Sequence, residues 1–304
     1  MRKLRQFILF SLLVLVTFPF AVLPLRIALC VGDALGLLTY VLWGSRRSIA
    51  LDNILSAVER GALTLTEDPH AVIRRNFRNL GRLVIEVVKI YYGMGGSVLR
   101  NIELRGTENF TRALNRGKGV ICITGHCGNW ELMAVYLSMT LGRASIVARK
   151  QNNEYLDRFI VRTREKYGNH IIYKQGALRQ ILSCLKKKEA VAILMDQSVI
   201  KSEGIIIHFL GKNAYAMKTP AVIARKTGAA VVPLFIRRTE KGHIIEIQEE
   251  IPLAADEDSD TALLHDTINF SKPIEEYIKK YPSEWLWIHR RWKRIKEKAV
   301  STTY

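Results

Sequence analysis

The sequence predicts an α/β protein: a mostly parallel sheet flanked by helices on both faces, with an N-terminal hydrophobic membrane segment. Three observations carry this. From Val120 onward, short β-branched runs alternate with stretches of helical period, the pattern of strand–helix–strand units whose parallel sheet is covered on both sides. His126, Arg149 and Asp196 each follow an apolar run, which places them at strand C-terminal ends, where such sheets open a crevice. Ahead of all this, Phe7 to Leu25 contains no charged side chain.

That first apolar run follows Arg2, Lys3 and Arg5 and is long enough, helped by tilt, for about 30 Å of hydrocarbon. A second run, Ile27 to Gly44, is interrupted only by Asp33 and contains Gly32, Gly36 and Gly44. A cleaved signal peptide fits poorly: the first run is long for such a segment, and Leu29 before Cys30 is bulky for a cleavage site. The rule that basic flanks stay in the cytoplasm puts Arg2, Lys3 and Arg5 on the same side as Arg46 and Arg47. A single span cannot satisfy both. A hairpin of the two runs does, and so does a helix lying in the interface, which Pro19 and Pro24 favour by bending the segment. The expected organisation is a membrane-anchoring segment over 1–44 and one α/β domain over 45–304, ending in a basic aromatic tail.

From Ala71, apolar residues recur at helical spacing (Ile73, Phe77, Leu80, Val84, Val87, Tyr91), with Arg74, Arg75, Arg78 and Arg82 largely between them. This is a core helix with a solvated basic face, or less simply a lipid-phosphate site; glycines from Gly93 to Gly96 end it. Strands are expected at Val120–Thr124, Ser145–Ala148, Ile171–Tyr173, Val191–Met195, Ile205–Phe209, Val231–Ile236 and Ile244–Ile247. Helices are expected at Leu132–Leu141, Tyr155–Tyr167, Ala177–Lys187, Pro220–Thr227 and Ala262–Tyr281. Asp256, Glu257, Asp258 and Asp260 read as an acidic solvated loop. In the tail, Trp285, Trp287 and Trp292 are interleaved or followed by Arg290, Arg291, Lys293, Arg294, Lys296 and Lys298. This composition suits a membrane interface or a phosphate-binding edge; burial is an equal reading for the alternating Trp285 and Trp287.

Lysine and arginine number 46 against 28 acidic residues, a net charge of +18, which favours anionic partners. Nucleic acid is set aside because no zinc-finger spacing, aromatic RNA-binding pattern or basic low-complexity arm is present. The four cysteines, Cys30, Cys122, Cys127 and Cys184, form no CxxC pair and suit a reducing compartment. Cys122 and Cys127 bracket His126, but Cys122 falls inside an apolar strand and no second histidine is near, so no metal and no cofactor are expected.

The chemistry concentrates at Gly125-His126-Cys127-Gly128-Asn129-Trp130-Glu131, a strand-to-helix turn. Within one helix, five residues amount to about 140° of rotation, so His126 and Glu131 would point apart. With His126 before the helix and Glu131 in its first turn, the carboxylate can reach back to the imidazole. A histidine oriented by a carboxylate is a general base; no adjacent serine or cysteine must be the nucleophile, so the proton can come from a substrate hydroxyl. A helix-start glutamate beside a turn histidine is the plainer alternative, and spacing alone leaves the two level.

His126-x4-Glu131 in this setting resembles the HX4D/E signature of glycerolipid and lipid A acyltransferases. The form G-H-x-G-N-W-E resembles the bacterial lipid A secondary acyltransferase family, which places lauroyl or myristoyl chains on lipid A precursors. Further likenesses follow in order: Arg46-Arg47 with Ala50 and Asn53; Arg149 with Asn152 or Asn153; Asp196-Gln197 with Gly204 and Phe209-Leu210-Gly211; Pro220 and Val231-Val232-Pro233; and Trp285 to Trp292. The likeness covers almost the whole chain. It implies a bacterial inner-membrane acyltransferase with its catalytic domain on the cytoplasmic face, acting in lipopolysaccharide biosynthesis. The donor would be acyl carrier protein and the acceptor a hydroxyl of a phosphorylated glycolipid. His126 and Glu131 would form the catalytic pair. Arg149, with backbone N–H groups of the turn, would hold the oxyanion, while Asn129, Asp196, Gln197, Arg290 and Arg291 would contact substrate. Asn129 and Trp130 read more simply as helix-start and packing residues, and for Asp196 positioning Arg149 or the acceptor and a purely structural role are equal readings. Ala216-Met217-Lys218-Thr219, ahead of Pro220, departs from the family's small or hydroxylated residues and leaves the acceptor open. Relatives with G-N-W-E also acylate phosphatidylinositol mannosides. Another lysolipid or glycolipid acceptor, a hydrolase and a basic membrane-bound scaffold remain as alternatives.

Overall fold

The structure, a computed structural model, describes residues 1–255 and 258–295. Helices α1 (Arg2–Val22), α2 (Leu25–Leu42), α3 (Gly44–Glu59), α4 (Pro69–Tyr91) and α5 (Gly96–Leu99) precede the sheet. Then follow β1 (Ile102–Arg105), α6 (Thr107–Asn115), β2 (Val120–Thr124), α7 (Trp130–Thr140), β3 (Ala144–Ala148), α8 (Glu154–Lys166), β4 (Asn169–Tyr173), α9 (Ala177–Lys186) and β5 (Ala190–Leu194). After them come β6 (Gly204–Phe209), β7 (Lys212–Met217), α10 (Thr219–Thr227), β8 (Ala230–Arg238), β9 (His243–Ile247) and α11 (Ser259–Lys280).

Seven strands form the main sheet in the order β1-β9-β8-β2-β5-β3-β4. Every neighbouring pair is parallel except β8 with β9. β2 lies at the centre between β8 and β5 and is buried along its whole length, which is why it reads as an unbroken apolar run. Its side chains alternate between two cores as a period of two requires. Ile121 and Ile123 join the layer containing α3, α9, α10 and α11, while Val120 and Cys122 join Phe110 of α6 and Leu132, Met133 and Val135 of α7.

The expected strand Ile205–Phe209 exists but lies outside that sheet. It pairs antiparallel with β7, forming a separate two-stranded hairpin. The cause is local: Leu210 and Gly211 both have positive φ, 47° and 78°, the conformation of a two-residue hairpin turn. β1, α3 and α6 had no clear sequence signal. β1 is short and alternates between half-buried and exposed, and α3 buries only Ala50, Ile54 and Ala57, a sparse stripe in a polar stretch.

α2 lies against α4 in close antiparallel contact. A Cβ built at Gly81 would stand 2.0 Å from the Gly32 carbonyl oxygen, and one at Gly36 would stand 2.3 Å from that of Phe77. Asp33, the only charge in the second apolar run, faces Arg78 and Arg82 of α4. The basic face of α4 is therefore partly an answer to α2 rather than wholly solvated.

After α11 the chain turns through Pro282–Glu284 and returns beneath the C-terminal edge of β2. Asn53 donates to the carbonyls of Trp287 and His289 (2.8 and 2.9 Å), Asn76 to those of Ser283 and Trp285 (2.9 and 2.7 Å), and Arg46 to that of Ile288 (3.2 Å). Trp285, Trp287 and Trp292 are buried, so the three tryptophans are core residues and not a membrane-interface belt. Asp258 caps α11 through the Thr261 N–H; Asp256, Glu257, Lys296 and Lys298 lie outside the described residues.

Candidate active site

β2 ends at Thr124 and its neighbour β5 at Leu194, paired in register. Two residues beyond each lie His126 and Asp196, so strands spaced about 4.8 Å apart deliver the two side chains to one another. His126 Nδ1 lies 2.8 Å from Asp196 Oδ1, and the His126 backbone N–H donates to Asp196 Oδ2 at 3.0 Å. Trp285, from the returning C-terminal segment, adds its indole N–H to Oδ2 at 2.8 Å. The segment is stitched to the turn by Gly128 N donating to Glu284 O (2.8 Å) and Leu286 N to His126 O (3.1 Å).

Burial alone would raise the Asp196 carboxyl, yet the imidazole and these donors hold it well below the usual carboxylate range. Burial likewise opposes the charged form of His126, but Asp196 raises its pKa above the ordinary histidine value. An ionised aspartate accepts, so Nδ1 carries the proton and Nε2 is left as the basic nitrogen. The Gln197 carboxamide lies 3.2 Å from Nε2, and the Trp130 ring meets the imidazole edge-on at 4.9 Å.

The carboxylate against the imidazole is thus Asp196, where Glu131 was expected. Glu131 stands in the first turn of α7 and turns to a different partner. Arg164 of α8 grips both its oxygens (2.5 and 3.2 Å), and the Tyr91 hydroxyl donates to it at 3.0 Å. Burial together with Glu131 raises the Tyr91 hydroxyl above its ordinary value. Arg164 and Tyr91 were missed, and nothing in the order of residues marks them: each is an ordinary member of an amphipathic helix until the helices dock.

Asn129, read both as a substrate contact and as a helix-start residue, is the latter: it is buried with both ends of its carboxamide occupied. Oδ1 accepts from Leu132 N as the α7 cap (3.1 Å), and Nδ2 donates to Glu86 (2.8 Å). Glu86 is clamped by Arg238 through two bonds of 2.7 and 2.8 Å. Beside this cluster, burial pushes the Glu284 carboxyl up to about 7. Arg291, also expected at the substrate, is buried. It donates to the carbonyls of Gln197 (3.2 Å) and Tyr215 (2.5 Å), stacks over Phe209, and is pushed down to about 10 by burial. Its place is behind Gln197, tying that backbone to β7. Arg149 follows β3 and is exposed, its guanidinium making no hydrogen bond or ion pair among the described residues; Arg290 is exposed as well.

From Trp130, which meets the imidazole, a narrow apolar cleft with a cavity volume of about 60 Å³ runs between α7 and the sheet. Trp130, Met133, Leu137, Leu194, Gly142 and Ala144 are among the residues that line it. Among the described residues no three histidine, cysteine or acidic side chains converge on a metal position.

The family described as bacterial lipid A biosynthesis acyltransferase matches residues 1–294. The chain belongs to that family. A relative, the lipid A biosynthesis palmitoleoyltransferase of Escherichia coli (strain K12), is 26% identical over 275 residues, covering 89% of this chain and 86% of the relative. The lipid A biosynthesis lauroyltransferase of the same organism is 22% identical over 239 residues (77% and 76%). A phosphatidylinositol mannoside acyltransferase of Mycolicibacterium smegmatis is 23% identical over 229 residues (74% and 73%). Among solved structures, the 1-acyl-sn-glycerophosphate acyltransferase of Thermotoga maritima aligns with a TM-score of 0.37 and 14% identity, over 82% of this chain and 97% of that one. Membership gives acyl transfer as the activity. Within this acyltransferase, the early Arg46–Asn53 block and the closing Trp285–Trp292 block meet each other behind the site, as Asn53 and Arg46 hold the strap that carries Trp285.

Proposed function

We propose that this acyltransferase moves a fatty acyl chain from an acyl carrier protein thioester to a hydroxyl of a phosphorylated lipid A precursor, at the cytoplasmic face of a bacterial inner membrane. The observation that carries the mechanism is the His126–Asp196 pair, with Nε2 left basic and Trp130 leading from the ring to the apolar cleft. The acceptor hydroxyl takes the place of the Gln197 carboxamide at Nε2 and gives up its proton as its oxygen attacks the thioester carbonyl. The tetrahedral intermediate collapses, the carbon–sulfur bond breaks, and the imidazolium returns the proton to the departing thiolate. Asp196 stabilises the imidazolium throughout.

The oxyanion needs donors aimed at it. The backbone N–H groups of His126, Cys127 and Gly128 already donate elsewhere, which argues against the turn as their source. Gln197, released from the ring, is the nearest free donor, while Arg149 stands exposed at the next strand end. The acyl chain enters the apolar cleft under α7, whose lining must part to hold it. The net charge of +18 suits an acidic carrier and a phosphorylated acceptor together.

The departure at Ala216–Thr219 and the similarity to phosphatidylinositol mannoside acyltransferases favour testing a second glycolipid acceptor beside the first. The deciding experiment is mass spectrometry of lipids from cells with wild-type protein, with His126→Ala and with neither. An acyl chain added only by the wild type supports the reading and identifies the acceptor. Free fatty acid without an acylated lipid would make the protein a hydrolase, and an unchanged function in His126→Ala would make it a scaffold.

A further inference from the structure

Against the catalytic turn lies a second buried set of polar groups, which the acyl-transfer chemistry leaves unused. A cavity of about 10 Å³ lies among them, with Asn76, Gly128, Arg238, His243 and Glu284 in its lining. That is about the least space that holds one water molecule. Glu86 of α4 belongs to the same set, and its charge is well answered. Two N–H groups of Arg238 (2.7 and 2.8 Å), the Asn129 amide (2.8 Å) and the His243 ring at 3.4 Å all meet it. Burial alone would raise its carboxyl, but Arg238 and His243 hold it down to about 2.

Glu284 is placed differently. Arg238 faces it too, but with those two N–H groups already spent on Glu86. Burial pushes the Glu284 carboxyl up to about 7; Arg238 opposes this and the Glu86 charge adds to it. The other titratable or charged groups facing it are Cys127 of the turn, Arg237 of β8, His243 of β9 and Tyr277 of α11. Burial keeps the Cys127 thiol and the Tyr277 hydroxyl neutral. That hydroxyl already donates to the Ile236 carbonyl at 2.7 Å, and the Arg237 guanidinium lies over the Tyr281 ring at 5.3 Å.

One acceptor on the cavity wall lacks a donor. The Asn76 amide straddles Glu284 in the chain, its Nδ2 donating to the carbonyls of Ser283 (2.9 Å) and Trp285 (2.7 Å). Those two bonds fix which end of the amide is which, and the buried Oδ1 has no partner. An ionised carboxylate can only accept; a protonated one has an O–H to give. A proton on Glu284 therefore serves both groups, satisfying Oδ1 and removing a charge that the cavity is too small to hydrate.

The carboxyl also sits where it can act on the chemistry. Gly128 N donates to the Glu284 carbonyl at 2.8 Å, and a Cβ at Gly128 would stand 3.2 Å from Glu284 Oε2. The next residue, Trp285, bridges to Cys127 and gives its indole N–H to Asp196 at 2.8 Å. We propose that Glu284 is a positioning residue acting as a buried acid: its proton, given to Asn76 Oδ1, seats the returning segment so that Trp285 holds Asp196, and loss of that proton slackens the hold. This rests on the reading of His126 and Asp196 as the base pair. Because the native carboxyl is raised above its ordinary value of 4.5, the stabilisation is fully present below that value and is lost as pH rises through about 7.

The test uses the full-length protein in detergent micelles with ¹⁵N-labelled tryptophan, the Trp285 indole resonance being the one missing from Trp285→Phe. The wild-type and Glu284→Gln resonances should coincide near pH 6 and separate by about pH 8; comparing the two cancels the titration of His126. The ratio of wild-type to Glu284→Gln kcat should fall about fivefold from pH 7 to pH 8, as expected for loss of one proton near pH 7. Glu284→Met, of similar volume and with no proton to lose, should give the same falling ratio. Resonances that coincide throughout, or a ratio that stays constant, overturn the proposal. His126→Ala removes transfer but leaves the resonance comparison readable, so the base-pair reading and this one fail separately.

Discussion

Two carboxylates flank the turn between β2 and α7, Asp196 beyond β5 and Glu131 in the first turn of α7, and their surroundings differ in one decisive respect. Asp196 is buried against a base that can gain and lose a proton, with Trp285 and the His126 N–H completing its shell. Glu131 is held by Arg164, a cation that never titrates, and by Tyr91. A carboxylate whose charge is already answered by a guanidinium has little left to offer an imidazolium; one whose nearest cation is that imidazolium stabilises it directly. The first region is built for proton transfer, the second for joining α4, α7 and α8.

The largest effect should come from breaking the first region. Asp196→Asn keeps the shape but removes the charge, and turnover should fall by about 10²–10⁴, similar to His126→Ala. The pH profile checks the cause. Because Asp196 holds the His126 pKa above the ordinary value, the acid limb of the rate, which follows loss of the free base, should lie above the unperturbed value of about 6.5. In Asp196→Asn, residual activity should show that limb at lower pH. Stability carries the opposite signs for the two partners. The raised histidine stabilises the fold below its unfolded pKa, a contribution lost as pH rises through the folded one. The depressed aspartate stabilises above its unfolded pKa, a contribution lost as pH falls. An acid limb that stays in place in Asp196→Asn would separate Asp196 from the base.

Glu131→Gln probes the second region. It leaves Arg164 half-enclosed and unpaired, and because the pair retains some exposure the cost should be below the roughly 3–5 kcal/mol of a fully buried pair, about 1–3 kcal/mol. Activity should fall with the lost docking of the three helices, but the acid limb should move far less than in Asp196→Asn. A limb displaced as far as the aspartate variant's would make Glu131 a second partner of the base and erase the contrast. Thermal melts and rate profiles of both variants decide it.

Trp285→Phe is a finer cut, since it keeps the ring and removes only the N–H to Asp196. Loss of a hydrogen bond to a charged acceptor should cost about 1.5–3 kcal/mol in stability, with a smaller loss of kcat than in Asp196→Asn. Wild-type stability and rate together would show that the returning segment only fills space. The smallest effect concerns the surface. Raising salt from 0.1 to 1 M shortens the screening length from about 10 to about 3 Å, so kcat/KM for an acidic carrier should fall while kcat stays nearly constant. A salt-sensitive kcat with constant kcat/KM would place the charge dependence in the chemistry instead.

Local pattern carried much of this protein. β2 was legible to the residue because a central parallel strand is buried on both faces and so must be apolar throughout. The position of His126 followed, because a turn after such a strand opens at the sheet edge. Asp196 was placed at a strand end for the same reason, and the ends of the helices α8, α9 and α10 followed from periodicity within a residue or two.

Contacts across the chain were decided elsewhere. That Asp196 and not Glu131 meets His126 depends on β5 lying beside β2 with Thr124 opposite Leu194, a pairing of strands seventy residues apart that no local spacing encodes. Arg164 reaches Glu131 only once α8 docks beside α7, and Asn129 and Arg291 turn inward because Glu86 and the Gln197 carbonyl await them. The same holds at the two ends of the chain. Length and hydropathy showed that residues 1–44 avoid water, but the partners their other face meets, α4 and α8, come from elsewhere in the chain. Sequence by itself determined which residues seek burial and where the chain must turn, because both are properties of a residue and its near neighbours. Which buried polar group answers which other was left to the tertiary structure, because complementary charges and hydrogen bonds are made between elements that meet only when the sheet has assembled.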